Sequence, residues 1–139
     1  MAPSASPPDL GTLTWFPARE RPDWLAAPVA DFLATRDLDV LAAAIDPSLA
    51  DTAAFCAAYG VGLEASANCV VVAGRRGETT TLAAVLVLAT DRADINRTVR
   101  KELDLRKLSF ASTAEAVAAT GMEYGGITPI GLPDGWPIL

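Results

Sequence analysis

Thr120-Gly121-Met122-Glu123-Tyr124-Gly125-Gly126-Ile127-Thr128-Pro129-Ile130-Gly131-Leu132-Pro133 decides how this chain is read. It holds four glycines, two prolines and two threonines around a few apolar side chains. A helix cannot run through it, because Pro129 lacks an amide donor and each glycine adds backbone freedom. A plain solvated linker would carry more charge and less Ile, Met and Tyr. The stretch reads as a shaped loop, with glycine where backbone comes close to something and proline where it must be stiff. Such a loop suits binding through main-chain N–H and C=O groups rather than through acid–base side chains. The alternative is a tight turn between two packed elements.

Working back from the loop, Ser112-Thr113-Ala114-Glu115 has the S-x-x-E form of a capping box. It opens a helix that stops near Thr120-Gly121. Lys107 to Ala111 reads as a short strand. Ile95 to Leu103 reads as a charged helix, with Ile95, Val99 and Leu103 spaced by four. Asp91-Arg92-Ala93-Asp94 caps it, or forms an acid pair. Thr79 to Ala89 is apolar from Leu82 on and predicts a central strand with both faces covered. Gly74-Arg75-Arg76-Gly77 is a hairpin turn by composition, and Cys69 to Ala73 is the β-branched strand before it.

Asp51 is placed to cap a helix from Thr52 to Tyr59 that ends at Gly60, with Phe55 and Tyr59 one turn apart and facing the core. Leu38 to Ile45 reads as a short strand or as a continuation of the helix before it. That helix begins at Asp23, and Pro28 breaks or kinks it. Trp15 and Phe16 are candidate anchors for the segment ahead of it. Met1 to Leu10 reads as a Pro-, Ser- and Ala-rich disordered tail with no basic n-region. On the far side of the loop, Trp136 to Leu139 looks like the start of a strand. Hairpin and helical connections alternate, which predicts an α+β fold with a mixed sheet.

The 139 residues carry a net charge of −6, with 11 basic and 17 acidic side chains. That balance argues against broad, nonspecific nucleic-acid binding, which neutralises phosphates, and leaves room for a local basic patch. There is no histidine, which removes the usual general base and the commonest metal ligand together. Cys56 and Cys69 lack the spacing of a zinc site and read as buried free thiols. No metal or cofactor is expected. The longest apolar run, Leu82 to Ala89, is too short to span a bilayer. A soluble, cytoplasmic protein is expected.

From about Asp51 to Pro133 the chain resembles the YbaK and prolyl-tRNA-synthetase-associated domain family of aminoacyl-tRNA deacylases. The resemblance rests on several pieces in order: "DTAAFCAAYGV", "SANCVVVA", a hairpin, "RADINRTVRKELDLRKLSFAS", and "TAEAVAATGMEYGGITPIGLP". It is strongest in the last piece, where that family ends a helix in Thr-Gly and then places a Gly-x-x-x-Pro loop, here Gly125 to Pro129. The resemblance implies a mixed, barrel-like β-sheet flanked by helices, with a pocket at one end. It divides the chain into a tail and irregular arm, 1–22, and one deacylase-like domain, 23–139, without the family's last strand.

It further implies hydrolysis of the ester of mischarged tRNA, acting in trans or as an editing module. The partners implied are the 3′ end of aminoacyl-tRNA and a second copy or a synthetase, with no membrane and no DNA. Gly125, Gly126, Ile127, Thr128 and Pro129 would hold the substrate through main chain. Many members carry a functional lysine where this chain has Asn68, which keeps hydrogen bonding and loses the charge. Asn68 is thus the candidate at the catalytic position, or a simple strand cap. A non-catalytic binding module of the same fold is the rival reading, and a fragment with no activity of its own is a third.

The remaining candidates stay open between two roles. Met122 and Tyr124 either line a small amino-acid pocket or belong to the core. Arg75, Arg76, Arg92, Arg97 and Arg100 either track tRNA phosphates or solvate the surface. Glu123 is the loop's one carboxylate, a base or a solvent-facing side chain. Cys69 points away from Asn68 by strand alternation and is not read as a nucleophile.

Overall fold

The computed structural model describes residues 11–91 and 95–139. The expected tail, and Arg92 to Asp94 of the expected cap, lie outside them. In chain order the elements are β1 (Phe16–Pro17), α1 (Ala27–Ala34), β2 (Leu41–Ala42), α2 (Thr52–Tyr59), β3 (Ala67–Arg76), β4 (Thr79–Leu88), α3 (Arg100–Glu102), β5 (Lys107–Phe110) and α4 (Thr113–Thr120). Short 3₁₀ turns sit between several of them.

The local chemistry explains the boundaries. Pro28 occupies the first turn of α1, where its missing amide costs nothing, so the helical pattern breaks there: Pro22–Trp24 is a separate 3₁₀ turn. α2 and α4 both stop on a glycine in the left-handed conformation, Gly60 and Gly121, each with φ +69°. The capping box forms its leading bond: Ser112 Oγ accepts from the Glu115 amide at 3.1 Å. The expected regular helix from Ile95 is instead a π-helical turn, Ile95–Val99, running into the single turn of α3.

β3 and β4 form a ten-residue antiparallel hairpin, and β5 pairs antiparallel with the other edge of β3. The sheet order is β4-β3-β5, while β1 and β2 pair separately. The other edge of β4 meets the end of the chain in a parallel bridge, Ala84 to Ile138. The Leu139 amide donates to the Ala84 carbonyl at 3.0 Å, and the Leu86 amide to the Leu139 carbonyl at 2.8 Å. The α+β class is as expected and the bridge makes the sheet mixed. The barrel does not close among the described residues, because β5 spans four residues and β1 and β2 two each. β4 is flanked on both edges but not covered on both faces: Leu86 and Leu88 are exposed.

Two apolar clusters hold these parts. One joins Val72, Ala83 and Val85 of the hairpin to Val99, Leu105 and Leu108. The second joins Ala18, Val29, Leu33 and Met122, with Ile127, Ile130 and Leu132 of the loop packed against it. The loop is therefore stapled to the core by its own aliphatic side chains. Phe16 packs edge-on against Trp24, with the Arg21 guanidinium 3.9 Å over the Trp24 ring. Phe55 and Tyr59 meet at 5.2 Å between ring centres, but both are only half-buried. Cys56 and Cys69 are free and half-buried too, not fully buried. No helix of the described residues is long and apolar enough to cross a membrane.

Candidate functional site

β5 is short, and its shortness makes the site. It pairs with β3 from Val72 to Arg75, and the Ala111 amide adds one bond to the Val71 carbonyl. Among the described residues, no strand lies beside the outer edge of β3 before Val71. Ala84 and Leu86 direct their amides toward the chain end, so their β4–β3 pairs with Val71 and Cys69 are of the type that exchange no hydrogen bonds. The N–H and C=O of Cys69 therefore point outward, to the open edge.

A cleft of about 670 Å³ lies along that edge. One wall is β3 from Ala67 to Val71, and another is the approach to α2, Ala50 to Thr52. Tyr124, Gly125 and Ile127 of the glycine-proline loop close the far side, and Phe110 stands at the rim. Asn68 and the loop thus border one space.

The loop's main chain divides into two groups. The Gly126 amide donates to the Glu123 carbonyl at 2.9 Å, and the Thr128 amide to Met122 Sδ at 3.5 Å. The Ile130 amide donates to Thr128 Oγ1 at 3.3 Å. These bonds hold the shape. Among the described residues the amides of Gly125 and Ile127, the two loop positions on the cleft with Tyr124, have no partner. Gly125 has φ +88°, and a Cβ built there would lie 3.1 Å from Ala50 Cβ. Glycine thus lets the loop and the approach to α2 come together.

The side chains at the cleft are mostly neutral. Thr52 Oγ1 donates to Asn68 Oδ1 at 2.9 Å, which leaves the Asn68 amide group as a donor. Burial pushes the Cys69 thiol above its ordinary pKa, so it stays protonated at neutral pH. Asp51 is the single ionisable carboxylate in the lining, and its side chain makes no capping bond to α2.

The sequence-derived candidates separate accordingly. Asn68, Gly125 and Ile127 lie on the cleft. Gly126, Thr128 and Pro129 lie behind it as scaffold. Met122 is 1% exposed and belongs to the core, whereas Tyr124 is 68% exposed at the cleft. Glu123 is exposed and gives its carbonyl to the turn. Sequence reasoning missed Thr52, Phe110 and the Cys69 main chain, and it took Asp51 only as a cap. The signal for the first was available: Thr52 opens a helix facing a strand start, where its hydroxyl has no helical duty.

An aminoacyl-tRNA editing domain matches residues 46–139, more than half of the chain. The chain belongs to that family. Among solved structures, the editing domain is similar to a candidate trans-editing enzyme for prolyl tRNA synthetase, at 22% identity and a TM-score of 0.62. It is similar too to a structure from work on epitope backbone grafting by computational design on scaffold proteins, at 23% identity and a TM-score of 0.64. In both cases 81% of this chain aligns with 69% of the other. A hypothetical protein of known structure aligns over 64% of this chain and 56% of its own, at 22% identity and a TM-score of 0.55. At these identities the likeness is one of fold. No curated protein matches significantly. The editing domain's matched residues contain every wall of the cleft described above.

Proposed function

We propose that this editing domain hydrolyses the ester of mischarged tRNA, acting in trans, with the 3′-terminal adenosine and the ester carbonyl held by main chain. The observation that carries the reading is the cleft's lining. It offers unpaired amides from Gly125, Ile127 and Cys69 and the side-chain amide of Asn68, and it offers no histidine and no lysine. An aminoacyl ester is already activated. Water adds to its carbonyl, charge collects on the carbonyl oxygen, and the bond to the ribose oxygen breaks to give free amino acid and a free hydroxyl. Fixed donors aimed at that oxygen contribute ~3 kcal/mol each in a site of this kind. The neighbouring ribose hydroxyl or an ordered water supplies the proton traffic.

Asn68 orients the substrate from the β3 side, with its carbonyl tied to Thr52. The test is deacylation of a panel of mischarged tRNAs by the purified protein. Turnover of at least one member above buffer is expected; no turnover on any removes the enzyme reading.

One observation favours a second reading, a binding module without turnover. Asn68 carries no charge at the position where the resemblance places a lysine, and its side-chain oxygen is already engaged by Thr52. Asn68→Lys separates the two. Deacylation gained in that variant and absent in the parent supports the binder.

A further inference from the structure

Asp51 is the one charged side chain in the lining of the cleft. Its main chain serves α2: the Phe55 amide donates to the Asp51 carbonyl at 2.7 Å. Its carboxylate does not, for it makes no capping bond to the helix that it precedes. Asp46, five residues earlier, behaves differently and spends its carboxylate on Ser48. Among the described residues Asp51 also meets no lysine or arginine in an ion pair. A negative charge is well placed beside the free amides of a helix start, so the fold can carry this one without a cation.

The neighbours of Asp51 fix where that charge stands. Ala50, on one side, is the residue that a Cβ at Gly125 would meet at 3.1 Å. Thr52, on the other, holds Asn68 Oδ1 at 2.9 Å. Asp51 therefore sits between the loop and the β3 side of the cleft, the two sources of the donors proposed for the ester carbonyl. In an aminoacyl ester the α-nitrogen is two bonds from that carbonyl carbon and carries a positive charge when protonated. A lone carboxylate repels the phosphates of an RNA, so it is a cost in this cleft unless the substrate brings a cation to it.

Resting on the hydrolase reading above, we propose that Asp51 receives the α-ammonium group of the aminoacyl ester and makes the site selective for esters with a free amino group. The amino group then orients the ester: main-chain amides take the carbonyl while the carboxylate takes the nitrogen beside it. Esters whose nitrogen is acylated, as in a peptidyl or formylated chain, lose this contact and leave the carboxylate unpaired against the substrate. Asp51 is in these terms a specificity-determining residue, and the bond-breaking step itself needs no proton from it.

The experiment compares mischarged tRNAs with their α-hydroxyacyl counterparts, which keep the shape of the ester and replace the ammonium by a neutral hydroxyl. Each rate is divided by that of the same ester in buffer, because the two esters differ in intrinsic reactivity. The parent is expected to favour the aminoacyl ester about tenfold in kcat/KM. Asp51→Asn and Asp51→Ser should bring that preference close to one. Both replacements are good N-cap residues, so α2 keeps its start, and melting curves check this. Binding of the 3′-amide analogues of the same aminoacyl- and hydroxyacyl-adenosines, followed by calorimetry, should show the same preference and the same loss. A parent without preference overturns the proposal, as does a folded variant of either kind that keeps the parent's preference in both measurements. If no ester is turned over but the parent binds the amino analogue in preference and the variants do not, the hydrolase reading falls and the role of Asp51 stands.

Discussion

The two halves of β3 are built from one strand and used differently. From Val72 to Arg75 its outer edge is closed by β5, and Val72 enters a core shared with Val99, Leu105 and Leu108. From Ala67 to Val70 the same edge is open, and the backbone borders a cleft. Nothing in the β-branched run Val70-Val71-Val72 marks the change. The neighbour's length marks it. A strand's own residues say that it will pair; where pairing stops is written in the segment beside it, here the turn at Ala111-Ser112 that starts α4.

The largest expected effect breaks the closed half. A Cβ at Gly74 would lie 2.4 Å from Leu105 Cδ1 and 2.8 Å from the Lys107 carbonyl oxygen. Leu105 Cδ1 can swing away, whereas the carbonyl belongs to β5's backbone. Gly74→Ala should therefore push β5 off and cost ~2–3 kcal/mol by urea unfolding. An unchanged midpoint would mean that β5 is held loosely.

A smaller effect is expected in the open half. Gly125→Ala meets both the positive φ and the Ala50 contact, and should cost ~1–2 kcal/mol of stability. Its effect on turnover should be larger than its effect on the melting temperature, because the displaced amide is a proposed substrate contact. Equal loss in both would place Gly125 among the scaffold residues.

Thr52→Val sharpens the comparison further. It removes the solvent-exposed bond to Asn68 Oδ1, which contributes little to stability, and frees the Asn68 side chain to rotate. The expected signature is a raised KM with little change in melting temperature. Heat stability lost without a change in KM would make that pair structural.

The smallest effect lies beside the cleft, in the turn Pro47–Leu49. Asp46 caps it by accepting from the hydroxyl of Ser48 at 2.8 Å and from its amide at 2.9 Å, and these bonds hold its carboxyl below the usual 3.8. The lowered folded value means that the cap stabilises the fold above pH 3.8 and is lost as pH falls through the folded pKa. Asp46→Asn should remove that part of the acid dependence in pH-resolved melting, leaving the profile above pH 5 unchanged.

The sequence made the covalent punctuation legible. Gly60, Gly121, Ser112 and Pro28 act where local chemistry sends them, and Gly125 stands where the loop comes close to Ala50. What the chain kept hidden depends on partners distant in sequence. Met122 and Tyr124 are two residues apart in one loop, yet one is sealed in the core and the other stands in solvent, because α1 covers only the first. The apolar run in β4 suggested two covered faces, but the chain end meets β4 edge-on through Leu139, so Leu86 and Leu88 keep an exposed side. The family resemblance pointed to Asn68, Gly125 and Ile127, which line the cleft; the places of Thr52, Phe110, Asp51 and the Cys69 backbone needed the geometry of the open edge.

That open edge has a consequence for how the protein tolerates change. The atoms proposed to grip the substrate at Cys69, Gly125 and Ile127 belong to peptide units, which every residue but proline supplies alike. Alanine at Cys69 and Ile127 would leave the peptide units in place and report mainly on packing, whereas at Gly125 it would displace the amide itself. Replacing a single amide by an ester through chemical synthesis would expose them. On the proposed reading, the side chains around the cleft can change, and with them the amino acid admitted, while a main-chain hold on the ester is kept.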